Sequence, residues 1–407
     1  MALPGASSRQ VGLVTVVVAV VVAGGVGWLI GSGTLGSWLS PAGSTGSSLS
    51  VRSVDVGASP FGLGYDPADG LVYVPNYGSG DVSVLSGATV VGTVSPPLGD
   101  GTWYEPHWAA YDPADGAMYV SDAGDNQVAV LNGTAVEDVM TASASGPQEP
   151  SFDPSSGDLY MPVWGGSVDL FNGFTVIASL GPIDGNPIFS SYSAASGDVF
   201  VSDTGSNTVN VLHGEALVRN VTVGFEPWHS AYDPANHYVY VPNAGSNNVS
   251  VLNGTTVVGS VPAGLTPFGV VYDPSSNAIY VSNQGSSNVT VIQGLSVVGS
   301  VEVGGGPVYG TYDPSDNCVW YSNSLAGSVS GICGDHVVTV PVGLYPRTVI
   351  YDPGNGELYV SNWDSGNVSI LTTSGTSPGF VSPETGVSAS IGGAATPLER
   401  TARPGNP

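Results

Sequence analysis

Tyr272-Asp273-Pro274-Ser275-Ser276-Asn277-Ala278-Ile279-Tyr280-Val281-Ser282-Asn283 holds two signals eight residues apart. Phe268–Tyr272 reads as a strand, and Asp273–Asn277 as a turn, because proline fixes φ while aspartate caps the turn. Ala278–Ser282 is a second strand, and Asn283–Ser287 turns again. Asn288–Ile292 alternates apolar and polar residues as a third strand, Gln293-Gly294 turns, and Ser296–Val301 forms a fourth. Four short antiparallel strands in about 40 residues make one blade of a β-propeller.

The first signal recurs at Tyr65, Tyr111, Phe152, Tyr192, Tyr232, Tyr272, Tyr312 and Tyr351, with spacings of 46, 41, 40, 40, 40, 40 and 39. Eight residues after each comes the second, led by Tyr73, Tyr119, Tyr160, Phe200, Tyr240, Tyr280, Trp320 and Tyr359. One blade cannot bury both of its faces, so neighbours must stack around an axis. The expected fold is all-β, an eight-bladed propeller over residues 51–372. A seven-bladed ring would need one degenerate unit; the fourth, Tyr192-Ser193-Ala194, diverges most yet keeps its length. The last unit has no convincing fourth strand, whereas Val51–Gly57 matches the fourth strands of other units. The N-terminal strand is therefore expected to complete the last blade and remove the open edge.

Tyr-Val-(Ser/Pro)-Asn eight residues after Tyr-Asp-Pro, at a 40-residue period, resembles the YVTN family of β-propeller repeats. The resemblance covers about residues 51 to 371. It implies the fold strongly and the function weakly: members are typically surface-layer or secreted prokaryotic proteins. Many have seven blades, so a count of eight departs from the common pattern.

Residues outside the repeat set the context. Val11–Ile30 carries no charge and is long enough, at 1.5 Å rise per residue, to cross a bilayer core of roughly 30 Å. Arg9 precedes it and the remainder is acidic, so residues 1–10 are expected in the cytoplasm and the rest outside. Residues 31–50 read as a flexible Gly/Ser/Thr stalk and residues 373–407 as a disordered tail. The net charge is −26, and all six basic residues are arginine. Such a chain repels phosphate backbones, which argues against nucleic acid as a partner.

Two cysteines exist, Cys318 and Cys333. Aligned with the sixth unit they fall opposite each other on one hairpin, so a cross-strand disulfide is expected in an exterior compartment. Six Asn-x-Ser/Thr triplets, at Asn132, Asn220, Asn248, Asn253, Asn288 and Asn367, could accept glycans. The repeat also multiplies that triplet by chance.

The chemistry-bearing candidates cluster at one place in the repeat. A proline lies five residues before each first-signal aromatic, and the two residues after it should enter the first strand at the channel mouth. Those pairs are Phe61-Gly62, His107-Trp108, Gln148-Glu149, Ile188-Phe189, Trp228-His229, Phe268-Gly269, Val308-Tyr309 and Arg347-Thr348. Glu105 and Glu226 precede the proline in two units. Glu105, His107, Trp108, Glu149, Glu226, Trp228, His229, Tyr309 and Arg347 thus form a candidate ligand site. Two histidines and a glutamate could hold a divalent metal, although His107 and His229 lie three blades apart. No cofactor is otherwise implied. No Gly-x-Ser-x-Gly elbow falls within the repeats, and there is no His-Glu-x-x-His or phosphate loop in the sequence. The reading is a membrane-anchored extracytoplasmic module for surface binding or structure, of adhesion or surface-layer type, whose partner is a surface protein or glycan. A lyase or hydrolase with its metal or acid–base site at the channel mouth, using Glu105, His107, Glu226 and His229, is the alternative.

Overall fold

The computed structural model describes residues 49–95 and 105–373. The expected segments 1–10, 11–30, most of 31–50 and 374–407, and the tip of the long first connection, lie outside the described residues. No helix among the described residues is long and apolar enough to cross a membrane.

Thirty-two strands form eight four-stranded antiparallel sheets. The first blade runs β2 (Gly64–Asp66), β3 (Leu71–Asn76), β4 (Asp81–Ser86), β5 (Thr89–Val94). Six blades repeat this order, each opening with a new first strand: β6 (Pro106–Asp112), β10 (Ser151–Asp153), β14 (Pro187–Ser193), β18 (Ala231–Asp233), β22 (Pro267–Asp273) and β26 (Pro307–Asp313). The eighth blade has the order β1-β32-β31-β30, with β30 (Pro346–Asp352), β31 (Glu357–Asn362) and β32 (Asn367–Thr372) closed by β1 (Ser50–Asp55). Ser50 faces Thr372 and Asp55 faces Asn367 in an unbroken antiparallel register. Arg52 adds an ion pair to Glu357 two strands away. The ring therefore has eight blades, and the N-terminal strand closes it. The divergent fourth unit forms a full blade, in which Ser196 donates to Ser193 where other units use aspartate.

Each residue of the two signals has a task. The turn aspartate accepts from the N–H two residues on, Asp66 from Ala68 and Asp273 from Ser275, an Asx turn. The following aromatic of Tyr-Val is buried, and its hydroxyl donates to a glycine carbonyl of the next blade: Tyr119 to Gly173, Tyr160 to Gly214, Tyr240 to Gly294. Those glycines hold φ near +55°, the left-handed region of the hairpin between third and fourth strands. The serine of Tyr-Val-Ser-Asn reaches the residue after the next blade's entry proline: Ser282 donates to the Val308 carbonyl and Ser361 to that of Phe61, both at 2.7 Å. The terminal asparagine is a hub. Asn283 donates to Asn288 and Thr290, and Asn362 to Asn367 and Ser369. Where aspartate replaces it, at Asp122 and Asp203, the carboxylate instead accepts backbone N–H groups.

The core lies between blades. Tyr73, Val82 and Val84 of the first interdigitate with Met118, Val120 and Leu131 of the second, all fully buried. Each such side chain contributes about 1.5–3 kcal/mol relative to exposure, so the ring is stable only as a ring. Cys318 and Cys333 are joined as expected, with Cα atoms 4.3 Å apart, stapling the second and third strands of the seventh blade.

Candidate functional site

Antiparallel connectivity divides the ends of the blades between two faces. The mouth face carries the loops that enter first strands and the hairpins between second and third strands. The opposite face carries the Asp-Pro turns. First strands of neighbouring blades run beside one another around the channel, so the two residues after each proline form two tiers.

The inner tier is the second residue of each pair. Trp108, Glu149, His229, Gly269, Tyr309 and Thr348 line a chamber of about 180 Å³. Aromatic rings close it across the axis: Trp108 meets Tyr309 at 5.2 Å edge to face, and Phe189 contacts both Trp108 and Tyr309. Gly62 completes this tier, and a Cβ there would lie 2.3 Å from the Trp108 ring, so only glycine lets that indole in. His229 points into the chamber, with Nε2 3.4 Å from Glu149. Burial pulls the His229 pKa down, but the adjacent carboxylate charge and its hydrogen bond outweigh it and leave the pKa raised. Burial also pushes the Tyr309 phenol well above its ordinary value.

The upper tier is the first residue of each pair. Trp228 stacks on Phe268 at 4.4 Å. On the other side of the ring, the eighth, first and second blades build an aromatic cradle. Phe61 packs on His107 at 4.3 Å and on Trp363 at 5.6 Å, while Tyr77 meets Trp363 at 5.1 Å and His107 at 5.9 Å. The Arg347 guanidinium lies 4.6 Å over the Phe61 ring and 5.6 Å from that of Tyr345. Phe61, Tyr345, Arg347, Trp363 and Asp364 enclose an open pocket of about 350 Å³. Burial, and then the Arg347 charge, lower the His107 pKa to about 4. The Tyr77 hydroxyl donates to Glu105 at the edge of the cradle.

The nine sequence candidates thus divide. His107, Arg347 and, through Tyr77, Glu105 belong to the cradle. Trp108, Glu149, His229 and Tyr309 belong to the chamber. Trp228 packs beside Phe189 and Phe268. Glu226 is exposed on the mouth face, where its N–H donates to Asn207, and the carboxylate that meets His229 is Glu149 from the third blade. Among the described residues, the single trio of metal-type ligands within reach of one another is Asp316 with Cys318 and Cys333, whose sulfurs are bonded together. His213, His237 and His336 sit on the surface beside Asp198, Tyr232 and Asp335.

Tyr77, Tyr345 and Trp363 complete the cradle without having been singled out from sequence. Tyr77 and Trp363 occupy the position just after the Tyr-Val-x-Asn signature, where the third blade places Trp164 and the other blades Ala123, Thr204, Ala244, Gln284 and Ser324. That column, read across the repeats, holds three aromatics, of which Tyr77 and Trp363 belong to adjacent blades of the ring. The six sequons also divide. Asn132, Asn220 and Asn253 are exposed, whereas Asn248, Asn288 and Asn367 accept from the signature asparagines and are explained by the fold.

No family model matches the chain, and no curated protein does. Among solved structures it is similar to a streptogramin B lyase, at 11% identity over 79% of this chain and 97% of that one, with a TM-score of 0.55. A catalytically inactive virginiamycin B lyase from Staphylococcus aureus with quinupristin matches at 9% identity, 80% and 99% coverage and a TM-score of 0.55. Sqt1 from Saccharomyces cerevisiae matches at 10% identity, 78% and 97% coverage and a TM-score of 0.68. Identities this low establish the propeller fold alone.

Proposed function

We propose that this chain is a YVTN-type surface-binding module, held at a membrane by residues 11–30, that captures a glycan or glycan-bearing surface protein in the cradle of its mouth face. The observation that carries this reading is the open pocket walled by Phe61, Tyr345, Trp363 and the Arg347 guanidinium. Flat aromatic walls with polar groups at their edges suit the apolar faces and hydroxyl rims of sugar rings. Its volume is within the ~300–1,000 Å³ range of small-ligand sites. Leu49 and Thr373, beside the β1–β32 pair, sit on the face of the Asp-Pro turns, opposite the cradle. The test is a glycan array probed with the full chain and with Trp363→Ala. Binding by the parent and loss in the variant support the reading; an array silent for both overturns it.

One observation favours a second reading, a lyase or hydrolase. Glu149 and His229 pair inside an enclosed chamber, where a histidine with raised pKa could donate a proton as general acid. The similarity to lyase structures is compatible with this, at the level of fold. Turnover abolished by His229→Ala, with the fold intact by circular dichroism, would establish it.

A further inference from the structure

The cradle contains a cation without a partner. The described residues hold three arginines. Arg52 is paired with Glu357, and Arg219 lies on the exposed fourth strand of the fourth blade. Arg347 stands at the channel mouth, and among the described residues its guanidinium forms no ion pair and no hydrogen bond; its Nε is buried without a partner. Its position is fixed by ring contacts to Phe61 and Tyr345. A buried donor left unmet, as Nε is, is costly, and the planar donors of a guanidinium fit a carboxylate bidentately. The net charge of −26 makes a positive group here an exception with local effect.

The rest of the pocket narrows the ligand. Trp363 and Tyr345 offer flat walls beside the guanidinium, and Asp364, an acceptor-only group when ionised, lies in the same lining. A simple anion would use Arg347 and leave the rings idle, and would be repelled by Asp364. A ring bearing both a carboxylate and free hydroxyls uses all of them: carboxylate on Arg347, hydroxyl donors on Asp364, ring face on Trp363. Resting on the glycan reading above, we propose that the cradle selects acidic sugars of the uronate class over neutral ones.

The experiment measures binding of trigalacturonate and of its methyl ester to the full chain by isothermal titration calorimetry. The two probes share ring and hydroxyls and differ in charge. One good charge-assisted pair predicts at least about tenfold weaker binding of the ester. Arg347→Met should bring the acid down to the affinity of the ester, Arg347→Lys should restore part of the difference, and Trp363→Ala should weaken both. Circular dichroism confirms that each variant folds. Equal binding of acid and ester, unaffected by Arg347→Met, overturns the acidic-sugar inference and leaves the glycan reading standing. No binding of either probe at millimolar concentration also overturns the inference, and the array then decides the broader reading separately.

Discussion

The second and fifth blades carry the same two side chains in opposite order. Pro106 is followed by His107-Trp108, and Pro227 by Trp228-His229. Because successive side chains on a strand point to opposite sides, the swap exchanges tiers. In the second blade the tryptophan enters the channel and the histidine joins the cradle. In the fifth the histidine enters the channel and meets Glu149, while the tryptophan stacks on Phe268. The two histidines, one first and one second after the proline, thus have pKa values shifted in opposite directions: burial and then the guanidinium lower that of His107, whereas the Glu149 carboxylate outweighs burial and raises that of His229. Identity of residue alone does not fix chemistry here; its column after the proline, and so its tier, does.

The strongest way to break this comparison is to remove the residue that separates the tiers. Trp108 is buried and touches Phe61 of the cradle as well as Phe189 and Tyr309 of the chamber. Trp108→Ala is expected to cost about 3–5 kcal/mol, read as a lowered midpoint in chemical denaturation. A midpoint within error of the parent would mean that the aromatic closure contributes little to the ring.

Next in size is Glu149→Gln. With the carboxylate charge gone, burial alone acts on His229, and its pKa should fall from above its ordinary value of 6.5 to below it. Titration of the ring protons by nuclear magnetic resonance measures this directly. The sign carries into stability. A histidine whose folded pKa is raised contributes fully below the unfolded value and loses that contribution as pH rises through the folded value. The variant should lose the part of its stability that acidification preserves in the parent, and a His229 pKa that stayed above 6.5 would show that Glu149 is not its partner.

His107 gives the mirror experiment and a smaller effect. Its folded pKa is about 4, so its contribution is present above pH 6.5 and is lost as pH falls from there toward 4. Arg347→Met removes the second cause and leaves the first. The pKa should rise above 4 and remain below 6.5, because burial is the larger cause. A return to 6.5 would mean that the guanidinium, not burial, sets the value.

How much of this was legible in the sequence follows from which contacts the repeat fixes. The blades, the strand closure and the disulfide rest on columns that recur every 40 residues or on neighbours within one hairpin, and these can be aligned by eye. The asparagine hubs are legible too, since a donor at Asn283 or Asn362 comes with an acceptor at Thr290 or Ser369, while the aspartate at Asp122 comes with Ala129. Glu149 with His229 was not legible. The pairing crosses from the third blade to the fifth over a closed ring, and sequence proximity points to Glu226 instead. Splitting the mouth residues into two tiers required only the strand alternation of Gln148-Glu149 against Trp228-His229, a signal that was present but weak because each column holds seven different side chains over eight units.

The smallest expected effect sharpens the contrast most. Trp363 is half-buried and meets Phe61 edge to face and Tyr77 at a tilt. Such pairs contribute about 0.5–1.5 kcal/mol, so Trp363→Ala should cost about 1 kcal/mol of stability, far less than Trp108→Ala. The two tryptophans are of equal size and belong to one aromatic cluster. If the cradle exists for binding and the inner tier for closing the ring, the rim tryptophan should matter little for folding and much for ligand, and the inner one the reverse. A denaturation midpoint for Trp363→Ala as low as that for Trp108→Ala would make the cradle one more part of the core, and its openness would then need another reason.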